Sequence, residues 1–437
     1  MAPNAPLHGI LRDRLQRSPQ QRITFADFME VVLYHPQHGY YSRPQGGIGM
    51  AGDFVTSPHL ARDFSELIGD QWVEWWHHLG CPHPFQLVEM GAGQGVLAAN
   101  LLSHLQRHHG DCFAALQYII VERSEGLIQT QRQRLKPWGD RVSWAQLDQL
   151  GDDAIVGGFF SNELVDALPV HQVVLTATGL QEVYVTLTAA GELKEVTGPL
   201  STPRLQDYFA LVDINLTHPP YPLGYRTEVN LAALDWLTTL ARKLGRGYIL
   251  TIDYGYPASR YHSPSRHQGT LQCYYQHSHH DDPYRHLGEQ DITAHVNFTA
   301  LERQGDRDGL TTLGLTQQAL FLMALGLGDR LSTLGQSSTT DPAAITALLG
   351  HRDRLQQLIN PLGLGNFLVL VQGKNLPDPP ATSSGLAAPG LGSFSRSKNP
   401  SLSPNRSHPS GSKLDPKPLS QAWERGFNPI KLLFSQN

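Results

Sequence analysis

The chain alternates between short apolar runs and longer segments in which apolar residues recur at helical spacing. Six apolar runs predict strands, over 85–90, 118–122, about 142–145, 154–161, 248–252 and 367–371. Helical spacing predicts further helices at about 228–244, 316–326 and 342–358. Nearly continuous apolar runs are typical of parallel strands that are covered on both faces. The pattern therefore predicts an α/β fold with a largely parallel sheet.

The first 80 residues carry helical patterns of their own. Thr24 precedes one of them and is placed to cap a helix. Ser57 and Pro58 form a favourable start for a second helix, with Ser57 as its N-cap and Pro58 in its first turn. The tryptophans of this second helix are interpreted as packing residues. Residues 1–80 are therefore predicted to form an N-terminal helical lobe.

The rest of the chain divides into a core and a tail. The core, over 81–374, is interrupted at about 176–226, where one alternating stretch predicts an edge hairpin or a small insertion. Residues 256–300 are predicted to form a long polar loop, a feature that is usually functional or disordered. Residues 375–422 contain nine Pro and eleven Ser. This composition predicts a disordered Pro/Ser-rich tail over 375–437.

Composition narrows the class of protein further. The 437 residues include 34 Lys and Arg against 39 Asp and Glu, a formal net charge of −5, which argues against a nucleic-acid partner. Three scattered cysteines favour a reducing compartment, and no histidine–cysteine spacing predicts a metal site. No apolar run approaches the ~18 residues of a membrane span, and the N-terminus lacks a signal-peptide core. These features predict a cytoplasmic protein.

The most informative motif is FQLVEMGAGQG, an apolar run that enters a glycine-rich turn before a helical segment. Such a strand, turn and helix N-terminus form a cradle for nucleotide-type ligands. The dinucleotide fingerprint would need its third glycine at position 96, which is Val96. Glu89, Gly91, Gly93 and Gly95 instead follow the pattern E-x-G-x-G-x-G, which is typical of S-adenosylmethionine (SAM) sites. A purely structural glycine turn is the alternative.

Acidic residues follow two of the predicted strands. Glu122 ends the second strand, where a carboxylate can accept hydrogen bonds from both ribose hydroxyls, or can simply face solvent. Asn162, Glu163 and Asp166 follow the fourth strand, at the edge of an open sheet where ligands bind. The alternative there is an ordinary helix cap, with both carboxylates facing solvent. We interpret the cluster as the place towards which a methyl donor would point.

Carboxylates in such a cluster suit an arginine nucleophile. A guanidinium stays protonated at neutral pH because its pKa lies above ~12. Paired carboxylates can orient its planar fork and can take the proton that methylation releases. Further candidates for the same crevice are Asp253, Asp53 and His295.

At this point the chain resembles a known family, the MidA-like SAM-dependent methyltransferases, from about Ile23 to Lys374. The resemblance rests on blocks in a common order: HPQHGYYS, GDFVTSPH, VEMGAGQG, VERS, SNELVDALPVH, TIDYG, GTLQCYYQH and DITAHVNF. The family has a class I (Rossmann-like) core with a seven-strand sheet, added helices and an inserted substrate region. Its mitochondrial members are complex I assembly factors that methylate arginine on a complex I subunit.

The resemblance implies SAM as the cofactor and assigns two groups of residues. Those that would contact the cofactor are Glu89, Gly91, Gly93, Gly95, Glu122, Asp53, Thr56 and Ser57. Those that would line the transfer site are Asn162, Glu163 and Asp166. The glycines would cradle the methionine end, Glu122 would hold the ribose, and the loop carrying Asp53 would close over the donor.

Two departures from the family pattern stand out. Ala92 and Gln94 occupy positions where Pro and Arg are common, which changes little because backbone amides would do the cradling. Asn297 stands where Asp is usual, so an acid or base role at that position is in doubt.

The leading hypothesis is an active SAM-dependent protein arginine methyltransferase. Its partner would be a protein substrate, with a dehydrogenase-complex subunit suggested by the family alone. The alternative from another class is an assembly or scaffold protein that keeps the fold and binds a partner without turnover. A nicotinamide-dependent dehydrogenase is disfavoured by Val96.

Overall fold

A computed structural model describes residues 4–42, 56–276, 278–336 and 340–377. Asp53, and the predicted tail beyond residue 377, lie outside the described residues. Within the described residues, no helix combines the length and the apolar composition that crossing a membrane requires.

The described chain folds into the following elements. Its strands are β1 (Ile23–Thr24), β2 (Phe85–Met90), β3 (Leu116–Val121), β4 (Val142–Ala145), β5 (Ile155–Asn162), β6 (His171–Thr176), β7 (Gly179–Leu187), β8 (Leu193–Gly198), β9 (Arg226–Val229), β10 (Leu244–Asp253), β11 (Gly255–Tyr256), β12 (Gln272–Tyr275), β13 (Ser278–His280), β14 (Asp291–Thr293), β15 (Val296–Asn297), β16 (Thr311–Gln317) and β17 (Leu368–Lys374). Its helices are α1 (Ala5–Arg17), α2 (Phe25–Tyr34), α3 (Ser57–Leu60), α4 (Arg62–His78), α5 (Val96–His108), α6 (Gly110–Ala115), α7 (Glu125–Arg134), α8 (Arg204–Leu211), α9 (Leu231–Lys243), α10 (Ala258–Tyr261), α11 (Phe298–Arg307), α12 (Gln318–Ala324), α13 (Leu327–Gln336) and α14 (Pro342–Leu358).

The centre of the molecule is a seven-stranded sheet in the order β16-β17-β10-β5-β2-β3-β4. Strands β4, β3, β2, β5 and β10 run parallel, whereas β17 runs antiparallel to both of its neighbours. The predicted α/β fold with a seven-strand sheet is therefore confirmed. The edge strand β16 was not predicted, because its sequence TTLGLTQ is only partly apolar and mostly half-buried or exposed.

Alternate residues of the central strands enter two separate cores. Phe160 packs on one face against Trp72 of α4, with ring centroids 6.0 Å apart. Phe159 lies on the other face, in a core shared with Trp236 of α9 and Phe298 of α11. Trp72 is fully buried, which confirms its interpretation as a packing residue. Two covered faces explain why the strands read as continuous apolar runs.

A second sheet joins the N-terminal residues to the middle of the chain. It has the order β1-β7-β6-β9, with β8 paired to β7, and all of these pairs are antiparallel. The edge hairpin or small insertion predicted at about 176–226 is therefore smaller than the sheet that the structure contains. The sheet begins at His171 and recruits Ile23 from the N-terminal lobe through its pairing with Val185. Such long-range pairing leaves little local pattern.

The prediction of one long loop over 256–300 was wrong. The structure contains a three-stranded sheet in this segment, in the order β13-β12-β14. Its strands are three or four residues long, which is too short for a periodic signal to stand out.

Capping residues mark where two helices of the N-terminal lobe, α2 and α3, begin. Thr24 caps α2 by accepting a hydrogen bond from the Asp27 amide at 3.0 Å, as predicted. The prediction for Ser57 was wrong by one residue, because Thr56 is the N-cap and Ser57 already belongs to α3. The helical pattern that begins here is also broken at Ala61, which has extended backbone angles between α3 and α4.

Candidate functional site

A pocket with about 750 Å³ of empty space, part of it open to solvent, lies at the carboxyl ends of β2 and β5. Its polar lining includes four acidic residues and consists of Glu89, Glu163, Asp166, Asp291, Asn162, Thr56, His59, Tyr41, Tyr254 and Thr293. Its apolar and glycine lining consists of Pro58, Gly91, Ala92, Gly93, Val96 and Leu97. This position is where an open α/β sheet binds its ligands.

The glycine turn forms one side of the pocket. Gly91, Gly93 and Gly95 all have positive φ, at 67°, 52° and 72°, a region that L side chains rarely adopt. The Gly91 amide donates to the Val121 carbonyl at 3.0 Å, and the Gly95 amide bonds inside the turn at 2.8 Å. These two amides are therefore used by the protein itself. A Cβ on Gly91 would lie 2.7 Å from Leu164 Cδ1, so this glycine also permits close packing.

Glu89 lies directly before the turn and is 4% exposed. Tyr118 donates to Glu89 Oε2 at 2.7 Å. Burial raises the pKa of Glu89 to about 7, although the Tyr118 hydrogen bond opposes the increase. A cation in the pocket would favour the ionised form of this carboxyl.

Glu122 follows β3 directly, but it does not line the pocket. Its Oε1 accepts the amides of Arg123 and Ser124 at 2.8 and 2.9 Å. Its Oε2 accepts from Gln131, which also donates to the Gly93 carbonyl at 2.8 Å. Burial raises the pKa of Glu122, and these hydrogen bonds oppose the increase. The structure thus links Glu122 to the glycine turn through Gln131, and a ribose-binding role for Glu122 stays a prediction.

The acidic side of the pocket begins at the end of β5. Glu163 has a positive φ of 54°, an uncommon conformation for a residue with a side chain, and its amide donates to the Ile252 carbonyl at 2.9 Å. Asn162 Nδ2 donates to Glu163 Oε1 at 3.0 Å. Burial and then the charge of Asp166 raise the pKa of Glu163 to about 8, while hydrogen bonds from Asn162 and the Ser57 amide oppose the increase.

Asp253 holds the turn that carries Asp166. Its Oδ2 accepts the amides of Val165 and Asp166 at 2.9 and 3.2 Å, and its Oδ1 accepts the Tyr254 amide at 2.8 Å. Asp253 is fully buried and does not line the pocket, so we describe it as a positioning residue. Burial raises the pKa of Asp166 to about 6, and a hydrogen bond from Tyr254 opposes the increase.

Four side-chain atoms of the pocket lining are buried and have no hydrogen-bond partner among the described residues, namely Asn162 Oδ1, Asp166 Oδ1, Thr293 Oγ1 and His59 Nε2. The first two are carbonyl and carboxylate acceptors. An unsatisfied buried acceptor costs roughly 1–3 kcal/mol. No Lys or Arg is found among the described residues that line the pocket. The site therefore offers negative charge and acceptors, and it suits a ligand that brings positive charge and N–H donors.

Several pocket residues were missed by the sequence analysis. Tyr41, Tyr254 and Asp291 all line the cavity, and each comes from a separate part of the chain. Each falls within a block that carries the family resemblance, namely HPQHGYYS, TIDYG and DITAHVNF. Those blocks were the available signal, but their residues are brought together only by the fold.

The other predicted residues occupy varied places. Thr56 lines the pocket, whereas Ser57 is fully buried and its hydroxyl donates to a glutamine of α12 at 3.4 Å. His295 packs edge-on against the Tyr254 ring, 5.0 Å between centroids, and does not line the pocket. Asn297 caps α11 and does not line the pocket.

A separate histidine cluster lies between α4 and the end of α5. Asp70 Oδ1 accepts from His104 Nε2 at 2.6 Å and from His109 Nε2 at 2.9 Å. These three side chains are grouped closely enough to hold a metal ion, but two hydrogen bonds to one carboxylate account for the arrangement. The prediction that the chain has no metal site is not tested by this cluster.

The chain is similar to known proteins in sequence. Residues 67–316 match the sequence model of a family described as putative S-adenosyl-L-methionine-dependent methyltransferase. A mouse protein named protein arginine methyltransferase NDUFAF7, mitochondrial, is 30% identical over 81% of this chain and 82% of its own length. A homolog from Drosophila melanogaster with the corresponding name is 30% identical over 84% of this chain and 86% of its own length.

A solved structure is similar over most of the fold. It is the crystal structure of a likely methyl transferase from Burkholderia thailandensis bound to S-adenosyl-homocysteine. The two proteins are 31% identical, the match covers 86% of this chain and 93% of the other, and the TM-score is 0.75.

Proposed function

The chain belongs to the family of putative SAM-dependent methyltransferases, and we propose that it transfers methyl groups from SAM to arginine side chains of a protein. The observation that carries the proposal is the acidic pocket, in which two buried acceptor atoms lack a partner. The arginine methyltransferase names of the mouse and fruit-fly relatives support the same substrate class.

The pocket residues fit the cofactor. Gly93 lines the pocket with a positive φ that L side chains rarely adopt, and Ala92, Val96 and Leu97 offer small or apolar contacts beside it. Glu89 adds a carboxylate for a cationic group. When bound, SAM supplies a methyl group already activated on a sulfonium. We propose the glycine turn and Glu89 as the residues that hold it.

The substrate cation is held, in this proposal, by the turn after β5. Asp166 and Asn162 provide the unpartnered acceptors, and a guanidinium provides five N–H donors in a planar fork. Asp253 keeps Asp166 in place through the backbone hydrogen bonds described above. The protein thereby orients the nucleophile, and because the methyl donor is already activated, orientation is the main requirement of such a displacement.

We assign Glu163 as the base that accepts the proton released by methylation. Methylation of a guanidinium nitrogen releases one proton, and a carboxylate of raised pKa is a good acceptor for it. The pKa of Glu163, raised to about 8, lies close to neutral pH, where a base works best. The proton would move from the nitrogen to a Glu163 carboxylate oxygen and then to solvent.

Two experiments test the proposal. Calorimetric titration with SAM separates the enzyme from a scaffold that keeps the fold, because a scaffold of that kind need not bind the cofactor. Mass spectrometry of methylarginine in cells with and without the protein then tests the substrate class. Loss of a methylarginine mark from one protein would identify the substrate, whereas an unchanged methylarginine profile together with no SAM binding would contradict the function.

The cellular context is part of the proposal. We propose a subunit of a respiratory or NAD(P)H dehydrogenase complex as the protein substrate. This part of the proposal rests only on the resemblance to the family, whose mitochondrial members methylate a complex I subunit. We retain a cytoplasmic location as a prediction from the sequence, while the animal relatives are named mitochondrial. Cell fractionation with an antibody to this chain distinguishes the two locations.

A further inference from the structure

Two arginines outside the pocket lining share one aromatic ring. The guanidinium carbons of Arg260 and Arg266 lie 4.5 and 4.2 Å from the centre of the Tyr256 ring. Contacts of this kind between a cation and a tyrosine ring are attractive and hold the guanidinium in place. Arg260 is exposed, and Tyr256 and Arg266 are half-buried, so a ligand can reach them from solvent. We call these three residues the basic patch.

The basic patch lies beside the acidic pocket. Tyr256 belongs to β11, two residues after Tyr254, which lines the pocket. The ring of His295 contacts both tyrosines, edge-on to Tyr254 at 5.0 Å and stacked on Tyr256 at 5.1 Å. One imidazole therefore connects a residue of the pocket lining with the ring that carries both arginines.

His295 adds no charge to this surface at neutral pH. Burial lowers the pKa of His295 to about 4, and the charge of Arg266 acts in the same direction, while a hydrogen bond with the Thr270 backbone opposes the decrease. The positive charge of the basic patch therefore comes from its two arginines, which stay protonated at every pH of interest.

The two guanidiniums have no carboxylate partner within 4.0 Å in the part of the chain that the structure describes. By contrast, Arg204 and Arg226 each contact a carboxylate oxygen, at 2.5 and 2.6 Å. Arg266 donates from one terminal nitrogen to the carbonyls of Arg260 and Tyr261, at 2.5 and 3.4 Å. A carboxylate from outside would reduce the repulsion between the two cations and would accept their remaining N–H donors.

The pocket and the basic patch are opposite in chemical character. The described pocket lining carries carboxyl groups and no Lys or Arg, whereas the patch carries two guanidiniums. A peptide that places a cation in the pocket can therefore place an anion on the patch. The rings from Tyr254 to Tyr256 follow one another at about 5 Å, and an extended chain advances roughly 3.3–3.6 Å per residue. The two charges would lie about three residues apart.

We propose that the basic patch docks an acidic residue of the protein substrate, about three residues from the arginine held in the pocket. This inference rests on the proposed function, because it needs a protein as the substrate, and it adds a second recognition element to the same site. The formal net charge of −5 disfavours a nucleic acid as the anion.

The test uses the full-length protein, saturated with S-adenosyl-homocysteine, and blocked peptides whose affinities are measured by ligand-observed NMR. One peptide is Gly-Gly-Arg-Gly-Gly-Asp-Gly-Gly, its partner has Asn in place of Asp, and a second pair has the reversed order. In at least one order, we expect the wild type to bind the Asp peptide about 2- to 5-fold more tightly than the Asn peptide, the usual scale of an exposed ion pair. Added salt should reduce this preference.

Three variants locate the preference on the protein. Arg260→Gln should lose most of the preference for the Asp peptide, and Arg260→Glu should reverse it. Arg352→Gln, which changes an exposed arginine of α14, is the matched control and should keep the preference. All three variants should bind S-adenosyl-homocysteine like the wild type in calorimetry, because neither arginine lines the pocket.

The outcomes separate this inference from the proposed function. Equal wild-type affinity for the Asp and Asn peptides in both orders, or an unchanged preference in Arg260→Gln, would overturn the inference. Tighter binding of oligouridylate than of the Asp peptide, lost in Arg260→Gln, would assign the patch to nucleic acid and would also overturn it. If the preference depends on Arg260 but no methyl group passes from SAM to arginine, the patch stands and the proposed function fails. If methyl transfer proceeds with the same KM for both peptides, the function stands and the inference fails.

Discussion

The two sides of the pocket are built in different ways. The glycine side comes from one continuous stretch, in which β2 enters the turn and the turn starts α5. The acidic side is assembled from Tyr41, the turn after β5, Tyr254 and Asp291, which lie far apart in the sequence. The first side depends on local backbone conformation, and the second on long-range contacts that set side-chain positions. The comparison teaches that the side proposed to hold the cofactor is coded locally, whereas the side proposed to hold the substrate depends on the whole fold.

The two sides also differ in chemistry. Apart from Glu89, the glycine side offers backbone and apolar side chains, whose contacts suit a bulky ligand and do not select its charge. The acidic side offers carboxylates of raised pKa, at Glu163 and Asp166, and acceptors without partners. Substitutions on the first side should therefore alter SAM binding, and substitutions on the second should alter substrate use and pH dependence.

The largest effect is expected for Gly93→Val, which tests the glycine side. A β-branched residue is strained at a φ of 52°, and Gly93 belongs to the turn that lines the pocket. We expect SAM affinity to fall by more than about 100-fold, equivalent to roughly 2.8 kcal/mol. Calorimetry measures the affinity. Gly110→Val is the control, because a Cβ there meets nothing within 4 Å; equal SAM binding by both variants would contradict the local cradle.

The next effect is expected for Glu163→Ala, which tests the acidic side. Removal of a positioned base typically lowers a rate by about 10²–10⁴-fold, so kcat should fall by that order. The SAM dissociation constant should change by less than about twofold, an energy below roughly 0.5 kcal/mol. Radiolabelled methyl transfer and calorimetry give the two values. The exposed Glu192→Ala is the control, and wild-type turnover in Glu163→Ala would remove this residue from the mechanism.

The same contrast decides how much could be predicted from sequence. The predicted strand over 85–90 matches β2, which is largely apolar and buried, and the predicted helix over 342–358 matches α14. The residues Asn162, Glu163 and Asp166 were predicted correctly as a cluster at a strand end, and all three line the pocket. Their roles in binding and transfer stay predictions.

What could not be predicted depends on distant partners. Asp291 lies in a segment that was predicted as loop, and β12 positions it through the pairing of Tyr274 with Asp291. Strands this short give no periodic signal. Glu122 lies where the sequence placed it, directly after a strand, but its Oε1 accepts the amides of the next two residues and it lies outside the pocket lining, so its ribose-binding role stays a prediction.

A pH profile sharpens the comparison with a smaller effect. Glu163 and Asp166 must be ionised to accept a proton and bind a cation, and their pKa values are raised to about 8 and about 6. We therefore expect kcat/KM to rise with pH across this interval. Glu163→Gln should lose the upper part of the rise while its SAM affinity keeps the wild-type pH dependence. A wild-type profile that is flat from pH 6 to 8 would contradict ionisation of these groups as a requirement.

The stability of the ligand-free protein should change in the opposite direction. A carboxyl whose pKa is raised by folding stabilises the fold below its unfolded pKa, and this contribution is lost as pH rises through the folded value. For Glu163, this loss of stability extends over the pH range from the ordinary glutamate pKa to about 8. The melting temperature of the wild-type protein should therefore fall as pH rises towards 8. The melting temperature of Glu163→Gln should fall less over the same pH range. An equal fall in both proteins would assign the pH dependence to other groups.

The smallest effect is expected for Asn297→Ala, which tests whether a family block can be structural. Asn297 is 6% exposed, and its Oδ1 accepts the Ala300 amide at 3.3 Å at the start of α11. Loss of such a cap costs about 1 kcal/mol, so the free energy of unfolding in urea should fall by that order. Methyl transfer per folded molecule should not change, because Asn297 does not line the acidic pocket. Asn297→Asp keeps an acceptor for the cap and should recover much of the stability. A loss of kcat in Asn297→Ala, with stability unchanged, would instead give this residue a role in catalysis with the acidic side. Such a result would contradict the assignment of the catalytic residues to the pocket lining alone.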